Sequence, residues 1–432
     1  MRGLPRKITR AAGAAVLALA MLATAATPAA ATSSGPIPAQ QQHGELPGSE
    51  LQAALVKVTD AGMVGAFAEV RDNLVTWRGA SGTADLGNGR PMRPGLQHRI
   101  GSVTKTFVAT TLLQLVGEGR IALDAPVGTY LPDFAADGVT VRMLLNHTSG
   151  IGSYDRVVFA TPEDVERHRN TTFDPRELAR IGLDMPPTNV PGATFAYSNT
   201  NYILAGLILE QVTGRPAQLE IYRRVIRPLG LFQTYFPGTN TRIVGPHAKG
   251  YVPWYGGELR DFSVYNMSWA GTAGELISTP SDLNHFYRAL LDGRLLPPAE
   301  LAQMRTTVPL DPARPATGGY GLGLVRLALP CGTVWGHDGI VLGHSALSLH
   351  SPDGRRQLTF AANLTHYAVP GQPDPISSAT VDFAVTALCG TTSGPIGDPS
   401  PQGVTGGPLR VAPAPGGPAL TATPPSGQPH QG

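Results

Sequence analysis

Cysteine is nearly absent, with only Cys331 and Cys389 in 432 residues. Neither has a histidine cluster nearby, and His337 and His344 lack the i,i+4 spacing of a helical zinc pair, so no metal or other cofactor is expected. Charge is also sparse, at 15% of residues with a formal net charge of +2. Such a chain sets up no strong field for nucleic acid or an acidic membrane, and no basic patch interleaved with aromatics occurs, which argues against nucleic-acid binding. Long apolar runs are missing except at the start, where Arg2, Arg6, Lys7 and Arg10 precede small apolar residues from Ala11 to about Ala26. That run is short for a bilayer span and is followed by Ala29-Ala30-Ala31, an A-x-A cleavage pattern. Residues 1–31 therefore read as a signal peptide, and the mature protein is expected to be secreted, with no stable membrane insertion. In an oxidising compartment the two cysteines are expected to bridge, a constraint of roughly 3–4 kcal/mol, with two buried free thiols as the alternative.

What is abundant is apolar residue, 42% of the chain, enough for a large core in one or two domains. Residues 32–47 read as a polar linker. Residues 391–432 are rich in Pro, Gly, Thr, Ser and Ala without apolar period and are expected to be disordered. Between them, 48–390 form the folded part. A helix is expected over Glu50–Asp60, then a hairpin of Val64–Val70 and Leu74–Gly79. Helical spacing dominates the middle, including Asn201–Val212 and Pro280–Leu291. From Tyr320 the period falls to two, with strands expected at Gly321–Leu329, Thr333–Gly336, Gly343–His350 and Gln357–Asn363 before a closing helix Ile376–Leu388. Strands at both ends with helices between imply an α+β fold: one antiparallel sheet built from both termini, flanked by helices, with a mostly helical insertion.

Three stretches can carry chemistry. Ser102 stands where a helix begins, a position that suits an N-cap. Lys105 lies three residues on, on the same face, where a shielded ammonium with a lowered pKa could exchange a proton with the serine hydroxyl. In Phe195-Ala196-Tyr197-Ser198-Asn199, Tyr197 could be a core residue or, beside a lysine, a phenolate base. Asn199 could donate to an amide carbonyl or position Lys105. In Trp335-Gly336-His337-Asp338-Gly339, the glycines would let a ligand approach the strand at His337.

Ser102-x-x-Lys105, Tyr197-Ser198-Asn199 and His337-Asp338-Gly339, in this order, resemble the three motifs of the penicillin-recognising serine hydrolases. Within these, residues 48–390 look most like the exported D-alanyl-D-alanine carboxypeptidases of actinomycete type, relatives of class C beta-lactamases. The resemblance implies a beta-lactamase-like fold and an acyl-enzyme on Ser102, with Lys105 and Tyr197 sharing the proton work and His337 stabilising charge near the leaving group. It also implies an oxyanion hole from the backbone N–H groups of Ser102 and Ile340, just after Gly339. Trp269 would be a cleft wall, Arg326 a carboxylate contact, and Cys331–Cys389 the family's disulfide. The expected partner is a small peptide, ester or beta-lactam substrate, and the expected state a monomer. One residue departs from the carboxypeptidase pattern: Asp338 stands where threonine is frequent, and a carboxylate facing the cleft would repel a C-terminal D-alanine. A same-fold esterase or beta-lactamase, and a non-catalytic cell-wall binding protein, are the rival readings.

Overall fold

The structure, a computed structural model, describes residues 46–254, 257–367 and 373–390. The signal peptide, nearly all of the linker and the tail expected from the sequence lie outside the described residues. Among the described residues, no helix is long and apolar enough to cross a membrane, and no group of three His, Cys, Asp or Glu is placed to hold a metal ion.

The first helix, Gly48–Asp60, buries Leu51, Leu55 and Val58, one face at i, i+4 and i+7. Strand β1 (Gly65–Asp72) then alternates. Ala66, Ala68 and Val70 pack with that helix and with Phe383, Ala384 and Ala387 of the last helix, Pro375–Cys389. The opposite parity, at Glu69, meets Asn284 on the helix Pro280–Leu291. Strand β2 (Val75–Asp85) returns through a two-residue turn in which Asn73 takes a left-handed φ of 53°, which asparagine tolerates.

After β3 (Arg90–Pro91) the chain leaves the sheet for the helical part. It re-enters as β4 (Val308–Pro309), β5 (Gly318–Tyr320), β6 (Val325–Leu329), β7 (Gly332–Val341), β8 (His344–His350) and β9 (Arg356–Ala362). The antiparallel sheet runs β3-β2-β1-β9-β8-β7-β6-β5-β4, so its two ends of sequence meet where β1 pairs with β9. The helix Thr104–Gly117 is buried nearly all round and stacks Phe107 on Phe286, with ring centroids 3.7 Å apart.

Two strand expectations needed correction. Gly321–Leu329 is a strand only from Val325, because Gly321–Leu324 forms a turn, with Gly323 at φ +69°, that separates it from the strand Gly318–Tyr320. Thr333–Gly336 is only the first part of a ten-residue strand, since Gly336 and Gly339 present no side chain and hide its alternation. Cys331, in the β6–β7 hairpin, is bonded to Cys389 at the end of the last helix, with Cα atoms 5.3 Å apart.

Candidate active site

Ser102 is not a helix cap. It lies inside a single 3-10 turn, Gly101–Val103, that precedes the helix Thr104–Gly117, and neither start makes a side-chain capping bond. Its hydroxyl faces two other side chains: Lys105 Nζ at 2.9 Å and the Tyr197 hydroxyl at 2.7 Å. Two glycines permit this turn to press on β7. A Cβ on Gly339 would stand 2.0 Å from the Ile100 carbonyl oxygen and 2.8 Å from the Ser102 nitrogen. One on Gly101, whose φ is +54°, would stand 2.9 Å from the Ile340 nitrogen. The glycines of the third motif therefore admit the serine turn itself (and, at Gly336, the neighbouring strand β8), not a ligand at His337.

Lys105 is fully buried. Besides Ser102, its Nζ reaches Asn199 Oδ1 at 2.8 Å and the Ala273 carbonyl at 2.6 Å. Burial pulls its pKa down to about 7, while the carboxylates of Asp155 and Asp338 hold it from falling further. A neutral amine has two hydrogens and one lone pair. Donating to Asn199 and Ala273 leaves the lone pair for the Ser102 hydroxyl.

Tyr197 is held by a stack on His147, with centroids 4.1 Å apart. His147 takes φ 59° and accepts from the Ser198 N–H at 3.2 Å, while its carbonyl receives the Ala196 N–H at 2.8 Å. Burial drives the Tyr197 phenol well above its ordinary value, only partly offset by its bond to Ser102. Of the roles left open by the sequence, this favours a neutral phenol that donates to Ser102 over a phenolate base.

Asn199 commits both ends of its amide. Its oxygen accepts from Lys105, and its nitrogen donates to Asp155 Oδ1 at 3.0 Å, with Ser153 bonded to the same carboxylate oxygen. It positions the lysine, and the second N–H of its amide nitrogen is not committed by these bonds. Asp155 is buried, and burial raises its pKa against these hydrogen bonds and the Lys105 charge. Nothing in the sequence singled out Asp155, because its link to Lys105 runs through Asn199. The only signal was a Ser-x-Asp turn beside the Asn146–Gly150 stretch.

Three further expectations needed correction. His337 is fully buried, with Nε2 2.8 Å from the Tyr320 hydroxyl and Nδ1 2.6 Å from the Asp338 carbonyl. Burial and the nearby Lys105 lower its pKa to about 3, so it is a neutral positioning group and supplies no charge to a leaving group. Trp269 is 1% exposed, packs edge-on against Phe159 and accepts the Tyr154 hydroxyl on its carbonyl, inside the helical core and not at a cleft wall. Arg326 pairs across β6–β7 with Trp335, on the face opposite Asp338, and its guanidinium donates to the Pro315 carbonyl.

Asp338 itself keeps 23% of its side chain exposed, and its Oδ1, 3.6 Å from His337 Nδ1, has no hydrogen-bond partner among the described residues. Burial raises its pKa to about 6, offset by its backbone bond and Lys105. The strand carrying it has a free edge here: β6 pairs with β7 only as far as Val325↔Gly336, whereas β8 pairs with it through to Val341↔His344. Arg99, on the short strand just before the serine turn, is buried and donates to five carbonyls, among them Phe262, Ser263 and Leu342. It ties the nucleophile turn to Thr241, to Phe262, Ser263 and Tyr265, and to the end of β7.

A half-buried serine and tyrosine joined to a buried lysine, between an antiparallel sheet and a helical part, define a serine acyl-hydrolase. The chain belongs to the Beta-lactamase family, whose profile matches residues 51–381. Among solved structures it is similar to a D-stereospecific amidohydrolase from Streptomyces sp., with a TM-score of 0.72 and 38% identity over 80% of this chain and 99% of that one. It is 38% identical over 186 residues to esterase EstB of Burkholderia gladioli, 39% of this chain and 46% of that protein. It is 29% identical over 314 residues to a D-aminopeptidase of Cereibacter sphaeroides, 68% of this chain and 55% of that protein. The alignments thus span about half the length of these two curated relatives.

Proposed function

We propose that the protein hydrolyses small amides and esters whose leaving group carries no carboxylate, through an acyl-enzyme on Ser102. The observation that carries this reading is Asp338, a partly exposed carboxylate on the strand that packs against the nucleophile turn, at the position where the resemblance to the carboxypeptidases would put a substrate's terminal carboxylate. Like charges about 4 Å apart cost roughly 1–4 kcal/mol, enough to select against D-alanyl-D-alanine ends. The printed activities of similar proteins, an amidohydrolase, an esterase and a D-aminopeptidase, support the same class.

The residues divide the work as follows. Neutral Lys105 takes the Ser102 proton as Oγ attacks the acyl carbon. The backbone N–H groups of Ser102 and Ile340, brought together by Gly101 and Gly339, hold the oxyanion. Tyr197 donates its proton to the leaving nitrogen or oxygen, and the Lys105 ammonium, 4.8 Å from the tyrosine ring centroid, returns a proton to the phenolate, so that the serine proton ends on the leaving group. Water then attacks the acyl-enzyme with the same groups acting in reverse. The substrate would lie along the free edge of β7 as an added strand.

The enzyme is proposed to act outside the cytoplasm, supported by the basic-then-alanine N-terminal segment and the Cys331–Cys389 bond. A mature N-terminus at Thr32 in the culture medium is the expected result, and an uncleaved intracellular chain would contradict it.

The test is a substrate panel of D-amino acid amide, short-chain ester, D-Ala-D-Ala peptide and penicillin. Amide and ester turnover should exceed peptide turnover, and Asp338→Thr should raise kcat/KM for the D-Ala-D-Ala peptide roughly tenfold relative to the amide. Efficient cleavage of the peptide by the unaltered enzyme, with no gain in the variant, would return the assignment to a carboxypeptidase. Rapid penicillin turnover would make it a beta-lactamase.

A further inference from the structure

Away from the serine, the helical part holds a half-open pocket of about 180 Å³ that the hydrolytic mechanism does not use. It lies beneath the helix Asn199–Thr213, and its wall is mostly apolar, with Phe173, Ile203 and Leu207. One group is out of place there. Glu275 is 2% exposed, lines the pocket and is hydrogen-bonded to the Gln218 side chain, while its Oε1 has no hydrogen-bond partner among the described residues. A buried carboxyl with an empty acceptor is costly unless something pairs with it.

Glu210 enters the same pocket from the helix above, with Oε1 accepting the Ala217 N–H at 3.1 Å. Among the described residues, no Lys, Arg or His lines the space. Two carboxyl groups, one aromatic ring and no cation make a site for a positive group on an apolar body. The volume suits a small body, since an apolar cavity of about 150 Å³ holds one benzene ring.

We infer that this pocket binds a small organic ammonium, a primary amine on an apolar body of about four to seven carbons, with its nitrogen paired to Glu275. Without ligand, burial raises the Glu275 carboxyl to about 8, so it is protonated at neutral pH. The titratable groups facing it are Glu210, from the helix above, and Tyr154, whose phenol Glu275 helps to raise. Binding an alkylammonium expels the carboxyl proton: R–NH₃⁺ and the acid give the ion pair and one H⁺. Affinity should therefore rise about tenfold per pH unit between about 6 and 8, then level off.

The experiment is calorimetric titration of full-length protein, its Ser102 first blocked with a fluorophosphonate, using benzylammonium and n-butylammonium chloride. Expected are saturable binding, uptake of one proton by the buffer at pH 7, and affinity at least tenfold weaker in Glu275→Gln at pH 8. Asp338→Asn should bind as the parent does, which separates this pocket from the cleft. No binding, a flat pH dependence, unchanged affinity in Glu275→Gln, or equal affinity for benzyl alcohol would each overturn the assignment. The pH slope and the alcohol comparison use the unaltered chain and stand even if the Gln variant fails to fold.

Discussion

The hydrogens on Lys105 set the pH dependence of the reaction. With its pKa brought down to about 7 by burial, the lysine is an ammonium in acid and cannot take the Ser102 proton. The acid limb of kcat/KM should therefore fall tenfold per pH unit below about pH 7. Asp155 and Asp338 both raise that pKa, so Asp155→Asn, which keeps a group opposite Asn199, should move the limb to lower pH. A pH–rate profile of this variant checks the sign; a limb that stays or moves upward would exclude Lys105 as the titrating base. Tyr197→Phe should cut turnover by about 10²–10⁴ while leaving the limb near pH 7, since its phenol titrates far above the working range. Ser102, Lys105 and Tyr197 were legible in the sequence because their residue types and order are themselves the signal. Asp155 and the neutral state of His337 were not, because each depends on burial and on neighbours remote in sequence.

Among the elements, the contact between the serine turn and β7 is the least tolerant. On Gly339, a Cβ would meet backbone atoms of Ile100 and Ser102, which cannot swing away as a flexible side chain could. Gly339→Ala should therefore lower kcat/KM by 10² or more, with a stability loss of about 2 kcal/mol or greater, read by steady-state kinetics and by urea unfolding. A fully active Gly339→Ala would show that Ile340 and Ser102 need not be this close. The helices were legible because apolar residues such as Leu51, Leu55 and Val58 follow the 3.6-residue period. Strand β7 was cut short in the sequence reading because glycines replace the alternating side chains at the very place where the site needs backbone contact.

Across the whole molecule, strands from both termini close one sheet, an arrangement that the separated runs of period-two residues already implied. The pairing order and the free edge of β7 were not implied, since they follow from where Gly321–Leu324 turns away toward the nucleophile helix. The Gly323 N–H there bonds to the Leu145 carbonyl, and its carbonyl accepts Thr106 Oγ1. The Cys331–Cys389 bond fastens the β6–β7 hairpin to the last helix. Replacing both cysteines by serine should cost roughly 2–4 kcal/mol by chemical denaturation while leaving kcat/KM within a few-fold, since neither sulfur approaches the site. The most direct measurement on the intact protein is the rate of covalent labelling by a beta-lactam or fluorophosphonate across pH 5 to 9, with the adduct mapped by mass spectrometry. The expected result is one adduct on Ser102, forming with an apparent pKa near 7 and lost in Lys105→Ala. An adduct on another residue, or a rate that rises only as free lysine titrates near pH 10, would contradict a Ser102 nucleophile driven by neutral Lys105.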